Sequence, residues 1–266
     1  MDVSAKPGRD NPEPLLPPNP VVFKVTGEDS ATYLQSQVSA DLPKSGDPEG
    51  KYTLWLNAKG RIEGDSYVIR TGETDFILVS FHTEGSLLKE LVERHIIADD
   101  VEVEWLSGME VVGFREDAVP EGMAKDASAY SFKEKRGGCP ILFFVDEAEN
   151  LAGWMKEAAE SGALRWKRER ILRRIPAIPS EAGERDTPMD LDLDGAISFE
   201  KGCFLGQEVM AKVKARGRRR KQLEVLKGAS GDPPEGESPL KGGGRVLCSV
   251  AEASGWLALA QVRVEG

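Results

Sequence analysis

The spacing of apolar and polar positions changes several times along the chain, and each change marks an element. "VVFKVTG", residues 21–27, is a short apolar run that predicts a strand. "EDSATYLQSQVSADL" follows with Ala31, Leu34 and Val38 on one side and Asp29 or Ser30 available as a cap, which predicts a helix. Between residues 51 and 80 Tyr52, Leu54 and Leu56 alternate, so this stretch reads as successive strands, with Gly60, Gly64 and Gly72 at turns or close backbone approaches. "SLLKELVERHI" sets Leu87, Leu88, Leu91 and Val92 at helical spacing, whereas "DVEVEWL" returns to alternation. Residues 108–114 and "CPILFFV" predict further strands, and "NLAGWMKEAAESG" a helix striped by Leu151, Trp154, Met155 and Ala158. Strands and helices interleave without glycine-rich nucleotide turns, which favours α+β sheets covered on one face over a doubly wound fold.

The texture changes near residue 176. Pro176, Pro179 and Pro188 interrupt an acidic stretch that cannot be one regular element. After Gly206, "QEVMAKVKA" predicts a short helix that Gly217 ends. The tail alternates in "QLEVL", "RVLCSVA" and "WLALAQVRV" around a glycine- and proline-rich loop, the pattern of a small antiparallel barrel or sheet. Residues 1–19 are rich in proline and lack a long apolar run, so they read as a flexible lead-in, neither signal peptide nor membrane span.

A chain of 266 residues with 40% apolar and 30% charged residues can bury a sizeable core and reads as a soluble globular protein. The formal net charge of -10 argues against general nucleic-acid binding, and no stable nucleic-acid complex is expected. Cations nevertheless concentrate between Arg165 and Arg174 and between Lys212 and Lys221, which suits a small anionic ligand or an acidic partner. Cys139, Cys203 and Cys248 are odd in number and far apart, so they form neither a disulfide framework nor a metal motif; no metal is expected, and the compartment is reducing, cytoplasmic.

The densest candidate chemistry lies in "EKGCFLGQEVMAKVKARGRRRKQL", residues 200–223. A thiol reacts as its thiolate, which cations and helix starts favour. Cys203 has Lys201 two residues before it and the helix opened by Gln207 and Glu208 just after it, while Gly202 and Gly206 let backbone amides approach a ligand. It is therefore a candidate nucleophile or redox thiol, without a histidine base, since His82 and His95 lie elsewhere. The competing reading is a packed, inert cysteine. Cys139 and Cys248 read as core. Arg218–Lys221 reads as a solvated face guarding a strand edge, whereas Arg216 goes with the candidate site. The five tryptophans read as core, Trp166 alone standing among cations where it could meet a flat ligand or partner.

"KGCFLGQE", residues 201–208, strongly resembles the signature K-G-C-[YF]-x-G-Q-E of the YgfZ branch of the folate-binding YgfZ/GcvT family, and the match continues through Arg216 and Gly217. "VTGEDSATYLQSQVSADL" and "LNAKGRIEGD" resemble two further family stretches, so the likeness covers the chain from about residue 20. It implies a GcvT-like multi-domain α+β fold around a central cavity, with a ferredoxin-like portion and a small C-terminal antiparallel β-barrel. Residues 20–217 would form the intertwined folate-binding region and 218–266 the barrel domain.

The resemblance also implies a function: a monomeric accessory factor for assembly or repair of iron-sulfur proteins, linked to tRNA modification. Its ligand would be tetrahydrofolate or a derivative, its partners iron-sulfur client proteins, and Cys203 its functional thiol. Lys201, Gly202, Gln207, Glu208 and Arg216 would belong to the ligand side. Two departures concern the cavity. Relatives commonly read R-I-x-x-G-x-P, whereas "RILRRIP" carries Arg174 at the glycine, a change that narrows the cavity or adds a cation for a carboxylated ligand. Asp190 falls where relatives often have a ligand-facing glutamate, placed to accept from the pterin amino group. Related aminomethyltransferases carry an aspartate after the strand that here ends "ILVSFHTEG"; none is assigned in this chain, which disfavours amine transfer. A folate-dependent one-carbon transferase and a non-catalytic scaffold are the alternatives.

Overall fold

The computed structural model describes residues 13–44, 50–120, 123, 129–158, 161–217 and 219–264. Three antiparallel sheets organise them. The first is built from β1 (Val21–Thr26), β2 (Lys51–Leu56), β3 (Ile62–Arg70), β4 (Phe76–Ser80) and β5 (Glu102–Trp105), in the order β2-β3-β4-β1-β5. The second joins β6 (Met109–Arg115), β8 (Ile141–Glu147) and β7 (Tyr130–Glu134), in that order.

The first sheet is covered on both faces, not one. Phe23, Val25, Val68, Phe76 and Leu78 pack against Leu34 of α1 (Ser30–Gln37) and Leu88 and Val92 of α2 (Gly85–Glu93). Val22, Leu54, Tyr67, Ile77 and Val79 point the other way, into a central core with Val111, Phe143, Trp166, Leu223 and Leu257. Double coverage explains why "FILVS" is buried throughout and apolar up to Ser80, since neither face of β4 meets water. Removing each such side chain from solvent stabilises the fold by about 1.5–3 kcal/mol.

Beside the second sheet lie α3 (Ala148–Ala158) and α4 (Gly162–Arg173). Neither β7 nor α4 is evident from periodicity. In α4 the apolar stripe is reduced to Trp166 and Ile171, and Arg170 and Arg173 are buried with it because carboxylates meet them. Arg170 makes a forked pair with Glu181 at 3.0 and 2.8 Å, and Arg173 donates to Glu169 at 2.9 Å. Trp166 is thus core, at the edge of the Phe81 and Phe143 rings, and no platform for a flat ligand.

The expected C-terminal barrel is corrected. After α5 (Gln207–Ala215), strands β9 (Lys221–Gly228), β10 (Gly244–Glu252) and β11 (Gly255–Arg263) form an open sheet, β10-β11-β9, whose outer strands do not pair with each other. Three strands are too few to curl closed, and the loop between β9 and β10 adds only the bridge Pro239–Arg245. The sheet closes its inner face against the central core instead, through Leu223, Val250, Leu257 and Leu259.

Residues 1–12 of the expected lead-in lie outside the described residues. Leu15 is buried, and its N–H and C=O pair with Gly113 of β6 at 2.8 and 2.9 Å. Arg165 of α4 donates to the Pro14 carbonyl at 3.1 Å.

Candidate functional site

The stretches that carry the family resemblance, far apart in sequence, meet in space. Gly206 has φ +83°, and a Cβ there would come within 2.7 Å of the Asn57 carbonyl in the β2–β3 turn. A Cβ on Gly60 would in turn strike Met210 of α5 at 2.4 Å. Glycine at both positions lets the segment 201–208 lie directly on that turn. On its other side Leu205 N–H donates to the Ser36 carbonyl of α1, and the Lys201 ammonium donates to the carbonyls of Val38 and Ala40, both at 2.7 Å. Partial burial lowers the Lys201 pKa to about 8, although Asp41 opposes the shift. Lys201 therefore ties the thiol segment to the end of α1.

Cys203 emerges from this clamp exposed, in contrast to buried Cys248 and half-buried Cys139. Gly202 has open space where a Cβ would lie. Glu208 and Arg216 are exposed on α5 and at its C-cap, with Gln207 half-buried at the first turn. Of the basic run beyond them Arg218 lies outside the described residues, while two of the others are paired: Arg219 with Asp192 and, at 2.8 Å, with Asp194, and Lys221, 3.5 Å from buried Asp186.

Asp190 caps its own 3-10 turn, accepting from the Thr187 hydroxyl at 2.8 Å and the Thr187 N–H at 3.2 Å. Arg174, the residue at the glycine position, ends α4 with φ 57° and ψ 44°, the left-handed conformation in which glycine is favoured.

A cluster that periodicity does not reveal occupies the middle of the molecule. Arg136 follows β7, and its guanidinium donates to Glu134 at 2.9 and 2.7 Å and to the Tyr67 hydroxyl at 2.5 Å, while that hydroxyl donates to Glu134. Its remaining nitrogen, Nη1, is buried without a partner. Tyr52 donates to Asp65 at 2.9 Å, and Ser80 and Thr83 donate to the other Asp65 oxygen. Burial alone would raise the Glu134 pKa, but the Arg136 charge and hydrogen bonds outweigh it and hold it below the ordinary value. Asp65 has the opposite balance, with burial raising its pKa against the hydrogen bonds it accepts. His82 nearby is brought down to about 3 by burial and by Arg170, so it is neutral and no cationic ligand group. The sequence signals for this cluster were an aspartate inside the otherwise core-facing "EGDSYVIR" and the tight "KRGG" turn, where Gly137 has φ +72° against the Arg173 backbone.

Arg136 stands where two clefts adjoin. One, of about 340 Å³, has Tyr52, Tyr67, Lys51 and Glu134 on its walls; the other, of about 620 Å³, runs between Arg173, Arg174, Arg219 and the strand β9. Asp192 and Leu193 line both. Cys203 and the rest of the 201–208 segment line neither. Among the described residues no group of three histidine, cysteine or carboxylate side chains is placed to hold a metal ion, and no helix is long and apolar enough to cross a membrane.

Three open antiparallel sheets wrapped about a polar cleft define a GcvT-like α+β protein. The superposition on glycine cleavage system aminomethyltransferase T from Bartonella henselae has a TM-score of 0.64 and covers 94% of this chain and 78% of that one, at 15% identity. The family model described as the GCVT N-terminal domain matches residues 21–133. The tRNA-modifying protein YgfZ of Escherichia coli O157:H7 is 28% identical over 241 residues, covering 82% of this chain and 72% of that protein, and the YgfZ of Escherichia fergusonii is similar to the same extent. In sequence and in fold the chain is thus similar to the YgfZ and GcvT proteins.

Proposed function

We propose that this protein binds a reduced folate, tetrahydrofolate or a derivative, in the adjoining clefts around Arg136, and serves as an accessory factor in the assembly or repair of iron-sulfur proteins with Cys203 as its working thiol. The observation that carries the ligand half is Arg136, which stands on the wall the two clefts share and whose buried Nη1 has no acceptor within the protein. A buried guanidinium nitrogen without an acceptor is costly and calls for one. A pterin offers acceptors along a flat edge, and the phenols of Tyr52 and Tyr67 supply aromatic surface beside it. When bound, a reduced folate supplies one-carbon and reducing chemistry. The chain's own residues orient it: Arg136 supplies the donor and Glu134 an acceptor, the cations of the larger cleft face the carboxylated tail, and Asp190, engaged with Thr187 and lining neither cleft, stays out of contact.

In this reading Lys201, Gly202, Gln207 and Glu208 hold the thiol in place, since none of them lines the two clefts. Lys201 fixes the segment to α1, and open space at Gly202 leaves Cys203 approachable by another macromolecule. The client half of the proposal rests on that exposure and on the likeness to proteins named for tRNA modification.

Calorimetry with tetrahydrofolate tests the ligand half: one saturable site is expected, weakened at least about tenfold by Arg136→Met, the loss of one charged hydrogen bond. Absence of saturable heat in the wild-type protein overturns it. Complementation tests the other half. Cys203→Ser is expected to leave iron-sulfur enzyme activity low in a strain lacking the protein, and full restoration by that variant overturns the thiol's role.

A further inference from the structure

The short helix that follows the thiol has an outer face that lines neither cleft. Met210 is buried and Val209 and Val213 pack against the central core, so these residues mark the inner side of α5. Glu208, Ala211, Lys212, Ala215 and Arg216 recur at the i, i+3, i+4, i+7 and i+8 spacing of one helix face, and all are exposed. Lys59 adds an exposed cation from the β2–β3 turn, whose Gly60 lies against Val209 and Met210, and Arg220 adds another beyond Gly217. Among the described residues the side chains of Lys59, Lys212, Arg216 and Arg220 make no ion pair, whereas neighbouring Arg219 is held by Asp192 and Asp194. This unneutralised cluster belongs to a chain whose formal net charge is -10. The alanines between its cations leave the face flat, and exposed Cys203 precedes its first turn. Cations near a helix C-terminus also answer the helix dipole, which accounts for Lys212 but not for Lys59 or Arg220, both outside the helix.

We propose that the outer face of α5 is a docking surface for an acidic protein partner, which it brings to Cys203. The inference rests on the thiol reading above and adds the partner's chemical class. Opposite charge steers encounter and raises association rates by about 10–10³-fold. A protein suits the face better than RNA, because its exposed residues include no aromatic ring on which bases could stack; Phe199 is partly buried, with the Lys214 ammonium 4.1 Å from its ring centre.

The test uses two peptides of equal length, one rich in glutamate and one uncharged, each carrying a cysteine as its mixed disulfide with thionitrobenzoate. The Cys203 thiolate attacks the peptide sulfur, a disulfide joins protein to peptide, and thionitrobenzoate leaves with the electron pair of the broken bond, so its absorbance reports the rate. Mass spectrometry identifies Cys203 as the site. With wild-type protein at about 0.15 M salt the acidic peptide is expected to react about tenfold faster than the uncharged one, and the ratio should fall towards one at about 1 M. The ratio cancels any change in the thiolate fraction. Lys212→Glu combined with Arg216→Glu, both exposed and so compatible with the fold, should bring it to about one or below, while Lys212→Arg with Arg216→Lys retains it. Equal rates for the two peptides with wild-type protein, or an undiminished ratio in the charge-reversed variant, overturn the inference and leave the thiol reading intact. In a strain lacking the protein the charge-reversed variant should restore iron-sulfur enzyme activity poorly; full restoration by it where Cys203→Ser fails also overturns the inference. Binding of bulk tRNA by the wild type at the same salt, lost in the charge-reversed variant, assigns the face to RNA and overturns it as well. Failure of Cys203 to exchange with either peptide overturns the thiol reading itself, and this inference with it.

Discussion

The guanidinium carbon of Arg136 lies 3.4 Å from the centre of the Tyr52 ring and 5.6 Å from that of Tyr67. A cation packed on one aromatic face and hydrogen-bonded to Glu134 and a phenol is held rigidly, which is what a ligand-orienting donor needs. Holding it there depends on the carboxylate. Arg136→Met strands Glu134 without its cation and is expected to lower unfolding free energy by about 3–5 kcal/mol. The double variant Arg136→Met with Glu134→Gln should recover most of that loss in urea titrations, because it removes the uncompensated charge.

Acid sensitivity should have two sources. Glu134 and Glu181 have pKa values held below the ordinary carboxylate value despite burial, by Arg136 and Arg170 respectively, so the stability they contribute is present above the ordinary value and is lost as pH falls below it through the lowered ones. His82 adds a slope at higher pH. Its pKa is lowered from 6.5 to about 3, so the unfolded chain takes up a proton in that window that the folded chain refuses. Stability then falls by up to about 1.4 kcal/mol per pH unit on acidification. His82→Gln should flatten the urea midpoint between pH 6 and about 4.5; an unchanged slope would show that His82 titrates normally.

The two glycines on either side of Cys203, Gly202 and Gly206, should respond unequally to alanine. Gly206→Ala combines a left-handed φ with a Cβ 2.7 Å from the Asn57 carbonyl, and a loss of about 2–4 kcal/mol is expected in denaturant unfolding. Gly202→Ala meets no atom within 4 Å and should change stability by less than about 0.5 kcal/mol.

Thiol labelling should resolve the three cysteines by rate. Cys203 is exposed, whereas Cys248 is buried with its pKa pushed up to about 12 by burial and Glu181. At pH 8 iodoacetamide should modify Cys203 first, Cys139 more slowly, and Cys248 only on unfolding, as read by mass spectrometry. Cys203→Ser should abolish the fast phase.

How much of this was legible in the sequence depended on whether a residue's partners lay nearby in the chain. Helix α2 was readable because Leu88, Leu91 and Val92 face one core on their own. Helix α4 was not, because Arg170 and Arg173 look like surface residues until Glu181 and Glu169 are seen to neutralise them. The thiol segment announced itself through its motif. Arg136 did not, since its meaning comes from Tyr52, Tyr67 and Glu134 brought together by two different sheets. The tail strands showed the correct alternation, but alternation is the same for an open sheet and a closed one, so the barrel did not follow from it.

The pairing of Leu15 with Gly113 has a practical corollary. Beyond the bridge, β6 is the outer strand of its sheet, and Leu15 occupies hydrogen-bonding groups of that margin. A version of the protein cut back to residue 20 would bare that margin along "VVGF" and leave a template for a second molecule. Such a shortened product should be prone to association at concentrations where the full chain stays dispersed, which makes residue 13 a safer starting point than residue 20 for any trimmed version.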